Sequence, residues 1–299
     1  MLPPLKPYSG SRTFNMTRFL VIALCIILSG CDATQLVYNR ANWFLGYEAL
    51  RYFDLDTAQR PGVKQDIDLW LSWHRRTQLL CYANLIDQFE SRTSQGLNKS
   101  DLIWLENEFM ASYDASISHA MIPIAAILTD LNTKQIAHLE KRLTKYQRKL
   151  ARKYGLDSKQ QKKRRAKKTI SGLKKWFGRL SRTQISWLEK RSRELPGATQ
   201  PWLEYRAQRD QALIDLLRSG NDPDTVVRVI KPMWSNTESF LARDSQLLME
   251  ELRTQSMSMA VDFYALTTAR QKNHFWNRLR NYREDFHQLA SLVPNARCE

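Results

Sequence analysis

Glycine and proline are scarce in this sequence, which holds ten of each among 299 residues. Sustained alternation of apolar and polar residues, the mark of a half-buried β-strand, is also missing. Leu, Ala, Arg, Lys, Gln and Glu, which favour helix, are common instead. The sequence therefore argues against a β-sheet protein and predicts an all-α multi-helix bundle.

The sequence also lacks the short motifs that mark common active sites. It contains no glycine-rich phosphate loop, no H-E-x-x-H, no G-x-S-x-G and no C-x-x-C pair. A nucleophile, a base and an oxyanion donor cannot be assembled from neighbouring residues. We therefore expect no enzymatic activity, no metal site and no cofactor. The five histidines are scattered along the chain: His74, His119, His138, His274 and His287.

Acidic residues are absent before Asp32, although basic residues occur there. Phe19–Leu28 is an apolar run of ten residues, followed by two small residues. This run is too short to span a bilayer as a helix, and its order of basic, apolar and small residues is typical of a secretory signal. We expect residues 1–30 to be a signal peptide, with Met1 or Met16 as the start. The basic residues are Lys6, Arg12 and Arg18.

Leu28-Ser29-Gly30-Cys31 resembles the bacterial lipobox, L-[AS]-[GA]-C. The resemblance implies that Cys31 is the first mature residue, carries fatty acid such as palmitate, and holds a periplasmic protein on a membrane. It makes residues 31–47 a lipid-anchored segment. Asp32 resembles the retention signal of enteric inner-membrane lipoproteins, so the inner membrane is favoured and the outer membrane stays open. The alternative, a core helix with an ordinary cysteine, fits the basic lead-in poorly.

Positive charge is concentrated in one segment. The formal net charge is +16, and Lys141 to Arg179 holds 17 basic residues against the single Asp157. We expect residues 156–179 to be a basic linker or an exposed helix that contacts anionic envelope polymers or acidic protein clients. A solvated linker is the alternative, and export argues against nucleic acid as a partner. The candidate contact residues are Lys159, Lys162, Lys163, Arg164, Arg165, Lys167, Lys168, Lys174 and Lys175.

One helix-start pattern recurs: Leu, a short polar residue, two further residues and Gln. It occurs at Leu55–Gln59, Leu131–Gln135 and Leu180–Gln184, and one residue longer before Gln271, where Thr268 is the short polar residue. In such a capping box the short side chain accepts a bond from a free backbone N–H, and the Gln reaches back to the cap. The pattern therefore predicts helix starts at these positions.

The openers occur at similar spacings in the two halves of the chain. This spacing predicts two tandem antiparallel helical units, residues 48–155 and 180–293, followed by a tail at 294–299. Because helical proteins commonly start helices this way, unrelated repetition stays open as the alternative.

Two further features of the mature chain leave alternatives open. Cys81 and Cys298 lie in a compartment that permits disulfides, so they either pair or remain free thiols. Trp43 and Tyr47 either face a protein core, which we favour because helix aromatics usually do, or rest at a bilayer interface.

The repeated L-[TSN]-x-x-Q pattern resembles that of the LTxxQ-motif periplasmic chaperones of the envelope stress response, helical cradles that bind unfolded clients without ATP. SGC-x-x-x-Q-x-x-YNRA-x-W at Ser29–Trp43 and YFDL at Tyr52–Leu55 resemble a family of proteobacterial lipoproteins without an established activity. These resemblances imply a lipid-anchored, chaperone-like binding protein. The alternative is a tethering lipoprotein whose basic segment contacts anionic lipid, peptidoglycan or lipopolysaccharide.

Overall fold

The computed structural model describes residues 31–154, 158–235 and 241–298, and the signal peptide predicted at 1–30 lies outside them. All regular structure in these ranges is helical, which confirms the predicted all-α multi-helix bundle. The first helices are α1 (Cys31–Asn39), α2 (Ala41–Phe53), α3 (Gln59–Thr77), α4 (Leu79–Arg92), α5 (Lys99–Thr129) and α6 (Thr133–Tyr154). They are followed by α7 (Ser158–Phe177), α8 (Arg182–Glu194), α9 (Thr199–Arg218), α10 (Pro223–Ser235), α11 (Arg243–Ala265) and α12 (Ala269–Ser291).

Local chemistry sets several of these helix ends. Asn98 begins α5 with a capping box, because its side chain accepts the Asp101 N–H and the Asp101 carboxylate accepts the Asn98 N–H. Gly178 follows α7 at φ +73°, a left-handed conformation that turns the chain towards α8. The predicted basic linker or helix at 156–179 is therefore largely helix, ended by a glycine.

Proline does not end the longest helix. Pro123 lies inside α5, which continues to Thr129. A proline removes one N–H and leaves the carbonyl four residues earlier without its helical partner. That carbonyl belongs to His119, an exposed residue, so water can replace the lost bond.

The largest core, core 1, lies between α5, α6, α9 and α10, with contributions from the segment around the start of α3. It combines residues from both predicted tandem units. Its buried members are Leu55, Val63, Ile117, Met121, Ala125, Leu128, Leu131, Leu139, Leu213, Ile214, Leu217, Val226, Ile230, Met233 and Trp234.

Two smaller cores surround α12. Core 2 joins α4 to α12, and its buried members are Leu79, Ala83, Tyr282, Phe286, Leu289 and Ala290. Core 3 joins α7, α8 and α11, and its buried members are Phe177, Leu180, Leu188, Phe263 and Tyr264. Trp176 packs against both of these cores.

The most extensive helix contacts pair α5 with α10, α4 with α12, α7 with α8 and α6 with α9. Three of these pairs join a helix of residues 48–155 to a helix of residues 180–293. The division into those two units stays a prediction, and in the described residues their helices pack against each other.

Candidate functional site

The four recurring helix openers make the same local bonds. Each Gln side-chain oxygen accepts the backbone N–H of the short polar residue three positions earlier, which is Asp56 before α3 and the helix cap in the other three openers. These N–H to Oε1 distances are 3.2 Å for Gln59, 3.0 Å for Gln135, 2.9 Å for Gln184 and 2.9 Å for Gln271. The residue directly before each of these polar residues is buried, at Leu55, Leu131, Leu180 and Thr267.

The openers also meet in pairs, which the sequence analysis did not anticipate. Gln135 Nε2 donates to Gln59 Oε1 at 2.6 Å, and we call this pair clasp 1. The side-chain amides of Gln184 and Gln271 each donate one hydrogen bond to the other, both 2.9 Å long, and we call this pair clasp 2. Each clasp holds two helix starts side by side: α3 with α6, and α8 with α12.

Backbone carbonyls complete both clasps. Gln184 Nε2 donates to the carbonyl of Leu266 at 2.9 Å, and Gln271 Nε2 donates to the carbonyl of Arg179 at 2.9 Å. In both cases the acceptor lies two residues before the partner helix's cap. Clasp 1 repeats the scheme with the carbonyls of Asp130 and Asp54. The glutamines therefore join helices, and their amides are occupied by the protein itself.

A disulfide joins Cys81 to Cys298, with Cα atoms 4.7 Å apart. Next to the disulfide, the C-terminal segment also forms a backbone hydrogen bond to α3, because the Arg297 N–H donates to the Arg76 carbonyl at 2.9 Å. The bond therefore fastens the segment after α12 onto the junction between α3 and α4.

The basic residues of α7 form an exposed surface. An apolar stripe at Ala166, Ile170, Leu173 and Phe177 turns one side of α7 into the body of the protein. Eight cations are exposed, and we call them the basic face: Lys159, Lys162, Lys163, Arg164, Lys167, Lys168, Lys174 and Lys175. Within the described ranges, none of these eight side chains forms an ion pair with a carboxylate.

Arg165 departs from the surface set predicted from the sequence. Its guanidinium is half-buried and donates three hydrogen bonds to carbonyls at the end of α8. The acceptors are Ser192 at 2.8 Å, Pro196 at 2.7 Å and Leu195 at 2.6 Å. Burial also lowers the pKa of Arg165. Arg165 therefore caps α8, and the prediction that it contacts an external partner is corrected.

Cys31 is the first residue of α1, although its side chain and that of Asp32 lie outside the described residues. Three positions later Thr34 is only 2% exposed, and Gln35 donates to Asp285 Oδ1 at 2.8 Å. The folded body thus begins within one helical turn of the predicted lipidation site.

Trp43 and Tyr47 are on the surface, so our preference for a core position was wrong. Their side chains are 69% and 51% exposed, and the rings stack with centroids 6.0 Å apart. They line a groove of about 440 Å³ between α2 and α3, together with Leu50 and Val63.

A family model described as a family of unknown function, DUF6279, matches residues 51–246. The chain belongs to this family. The DUF6279 match contains both helix starts of clasp 1 and the basic face, but it ends before α12 and so before Gln271. No curated protein and no solved structure matches the chain.

Titratable groups in this DUF6279 protein are dispersed. In the ranges 31–154, 158–235 and 241–298, no group of three or more His, Cys, Asp or Glu side chains is arranged to hold a metal ion. Over the same ranges, no helix is both long and apolar enough to cross a membrane.

His74 is the most perturbed histidine. Its ring nitrogens lie 2.9 Å from the Tyr38 hydroxyl and 3.1 Å from the Tyr82 hydroxyl. Burial lowers the pKa of His74 to about 4, because the charged ring would lose its contact with water there. A buried, neutral histidine between two phenols therefore joins α1, α3 and α4.

Proposed function

We propose that this DUF6279 protein is a lipid-anchored protein of the bacterial envelope that binds anionic polymers without catalysis. The observation that carries the proposal is the basic face, eight exposed cations on one helix without a carboxylate partner among the described residues. A cluster of this kind attracts phosphate or carboxylate groups over about a Debye length, roughly 8 Å at physiological salt.

The surroundings of the basic face favour a charge-dominated contact. The apolar side of α7 is already packed against core 3, and no large apolar side chain is exposed on the described parts of α7 or α8. A surface without exposed apolar groups gains little from burying the hydrophobic segments of an unfolded client. Anionic lipid, lipopolysaccharide and peptidoglycan are therefore better matched to it than an unfolded protein.

The anchor belongs to the same proposal. Acylation at Cys31 would hold the folded body against the membrane, because Thr34 is already buried. Asp32 favours the periplasmic side of the inner membrane as the location. Mass spectrometry of protein extracted from cells is expected to find acylated Cys31 at the amino terminus, and an unmodified terminus contradicts this part.

A chaperone-like role is the second candidate, and two observations favour it. The helix openers that resemble LTxxQ motifs are the residues that build clasps 1 and 2. The described groove beside Trp43 adds an exposed apolar surface. In this role the protein is expected to slow aggregation of a denatured acidic client at low salt.

Co-sedimentation tests the basic face. The chain from residue 31 carrying Cys31→Ser is mixed with anionic vesicles, lipopolysaccharide or peptidoglycan at increasing salt. Each Lys near an anionic surface contributes about 1 kcal/mol, so a fourfold variant should bind at least about 100-fold more weakly. The variant changes Lys162, Lys163, Lys167 and Lys174 to Gln.

A matched control removes the same charge elsewhere. The control changes Lys99, Lys134, Lys190 and Arg270, all exposed and outside α7, to Gln. It should retain most of the binding. Equal losses in both fourfold variants would show that net charge alone acts, and binding that is indifferent to salt would contradict the proposal.

A further inference from the structure

Helix α2 packs one apolar side against core 1 and exposes a second apolar stripe to solvent. Its exposed side carries Trp43, Tyr47 and Leu50, which are 69%, 51% and 37% exposed and follow the spacing of one helix face. Its inner side carries Glu48, which is only 6% exposed and pairs with Arg51. Burial raises the pKa of Glu48. A helix that buries a carboxylate while exposing tryptophan presents that apolar side for contact with something outside the body.

The groove beside this stripe stays open. A Cβ added at Gly46 would meet nothing within 4 Å, so the space between the two aromatic rings and α3 is unfilled. Arg60 and Lys64 line the same groove and place positive charge beside the apolar stripe. Stacked Trp and Tyr rings next to cations are the composition that favours the boundary between lipid tails and headgroups.

A further apolar side chain is exposed on α1, nearer in the chain to the predicted anchor site. On α1, Leu36 is 63% exposed, and it lies five residues from Cys31, about 7.5 Å along the helix axis. The apolar run Phe19–Leu28 ends three residues before Cys31. Whether that run is retained or replaced by acyl chains, the membrane-embedded part would meet the chain at Cys31, five residues before Leu36 and twelve before Trp43.

We propose that Leu36, Trp43, Tyr47 and Leu50 form a docking face that rests in the headgroup region of the leaflet carrying the anchor. The location of this face rests on the anchoring proposed above, whereas its affinity for lipid belongs to the side chains themselves. Attachment at Cys31 makes contact with the leaflet intramolecular, so lipid reaches the face at a far higher effective concentration than a diffusing partner.

Fluorescence quenching tests whether Trp43 enters the leaflet. The full chain is recovered from membranes and reconstituted into vesicles of phosphatidylcholine and phosphatidylglycerol with brominated tails, which quench indoles at the interface. The chain has nine tryptophans, so Trp43→Phe serves as the reference. The wild type should lose fluorescence that Trp43→Phe does not lose. Equal quenching in the two proteins overturns the docking face.

Vesicle binding without the anchor separates docking from lipidation. The chain from residue 31 with Cys31→Ser contains all three cores and is the form to use. Replacing Trp43 and Tyr47 with Ser should weaken its partitioning by about tenfold or more. The matched control replaces Ile122 and Leu247, which are 70% and 54% exposed on other helices, and should leave partitioning unchanged. Equal weakening by both variants overturns the proposal.

The remaining outcomes keep the two proposals apart. Quenching of Trp43 together with unchanged binding by the α7 variant supports the docking face and removes the basic-face function. Loss of binding in the α7 variant without quenching of Trp43 supports the basic-face function and removes the docking face. If the protein self-associates in lipid-free solution and the variant with Ser at positions 43 and 47 does not, the stripe binds a second copy of this chain. If the protein protects a denatured client and this protection depends on Trp43, the stripe binds that client. Either result overturns docking to lipid.

Discussion

Clasp 1 and clasp 2 share one bonding scheme but differ in their access to water. Gln184 and Gln271 are both buried and exchange equal bonds of 2.9 Å. Gln59 is only half-buried, and its return bond to Gln135 is 3.5 Å long while its amide also reaches Asp130 Oδ2 at 2.9 Å. An acidic side chain and water can therefore replace lost bonds in clasp 1, whereas clasp 2 depends on its own glutamines. The same sequence pattern should therefore contribute more to the free energy of unfolding at clasp 2 than at clasp 1.

The disulfide links the two regions and should give the largest effect. It ties the segment after α12 to the first turn of α4, directly after α3, across a sequence separation of 217. Helix α12 begins at clasp 2, and α3 begins at clasp 1. Cys298→Ser should lower the free energy of unfolding by about 4 kcal/mol, because the unfolded chain regains the freedom that the loop removed. Urea denaturation followed by circular dichroism measures this change.

Reductant provides the control for that experiment. It should destabilise the wild type to the same level and leave Cys298→Ser unchanged. One sharp transition at lower urea would show that both clasps unfold together, whereas two separate transitions would show that the disulfide is what couples them. No shift in the transition contradicts the expected contribution.

Gln184→Leu breaks clasp 2 and should follow in size. Leucine removes the bonds to the Ser181 N–H, to Gln271 and to the Leu266 carbonyl, and each buried group left without a partner costs about 1 kcal/mol or more. We expect a loss of about 3 kcal/mol in the free energy of unfolding. The double variant with Gln271→Leu should be less destabilised than the sum of the two single variants, and strict additivity would show that the two amides do not depend on each other.

Acid should destabilise the folded protein by protonating His74, which lies on α3. The pKa of His74 falls from 6.5 in the unfolded chain to about 4 in the folded protein, so the unfolded state binds the proton first. The stability that the neutral ring provides is complete above pH 6.5 and is lost as pH falls towards 4. Between pH 7 and pH 5 the loss should be about 2 kcal/mol.

Paired variants isolate this titration. His74→Gln should remove that part of the pH dependence measured by urea denaturation. The same substitution at His287, which is exposed on α12, serves as the matched control. An unaltered pH profile in His74→Gln would contradict the assignment.

Gln59→Leu breaks clasp 1 and should have the smallest effect, about 1 kcal/mol in the free energy of unfolding. The Asp56 side chain still accepts the backbone N–H groups of Ala58 and residue 59, and water reaches the amide site. The comparison with Gln184→Leu is made in the same urea assay. Equal losses at the two clasps would mean that burial does not set their energies.

Much of this architecture could be predicted from local sequence, because capping boxes act within four residues. Leu180 to Gln184 fixes the start of α8 without reference to the rest of the chain. The meeting of Gln184 with Gln271 could not be predicted in this way, since a second hydrogen-bond partner depends on which helix starts become neighbours in space.

Two surface features show what residue-by-residue reasoning got wrong or left open. Trp43 is exposed because α2 packs through its opposite side, so the usual burial of aromatic residues does not apply. The basic segment forms a helix because an apolar stripe from Ala166 to Phe177 runs through the charges at helical spacing. That stripe was readable in the sequence and would have decided between a linker and a helix, and its inward direction also explains why Arg165 turns to α8.

The family match ends at residue 246, and this end point matters for the design of shorter versions of the chain. Residue 246 lies near the beginning of α11, so a protein trimmed to the matched region would lose α12 and Cys298. Leu79 would then face water and the Gln184 amide would have no counterpart. Such a fragment should be insoluble or only loosely folded, because core 2 and clasp 2 both need α12. The end of the family match is therefore a poor guide to where the folded body ends.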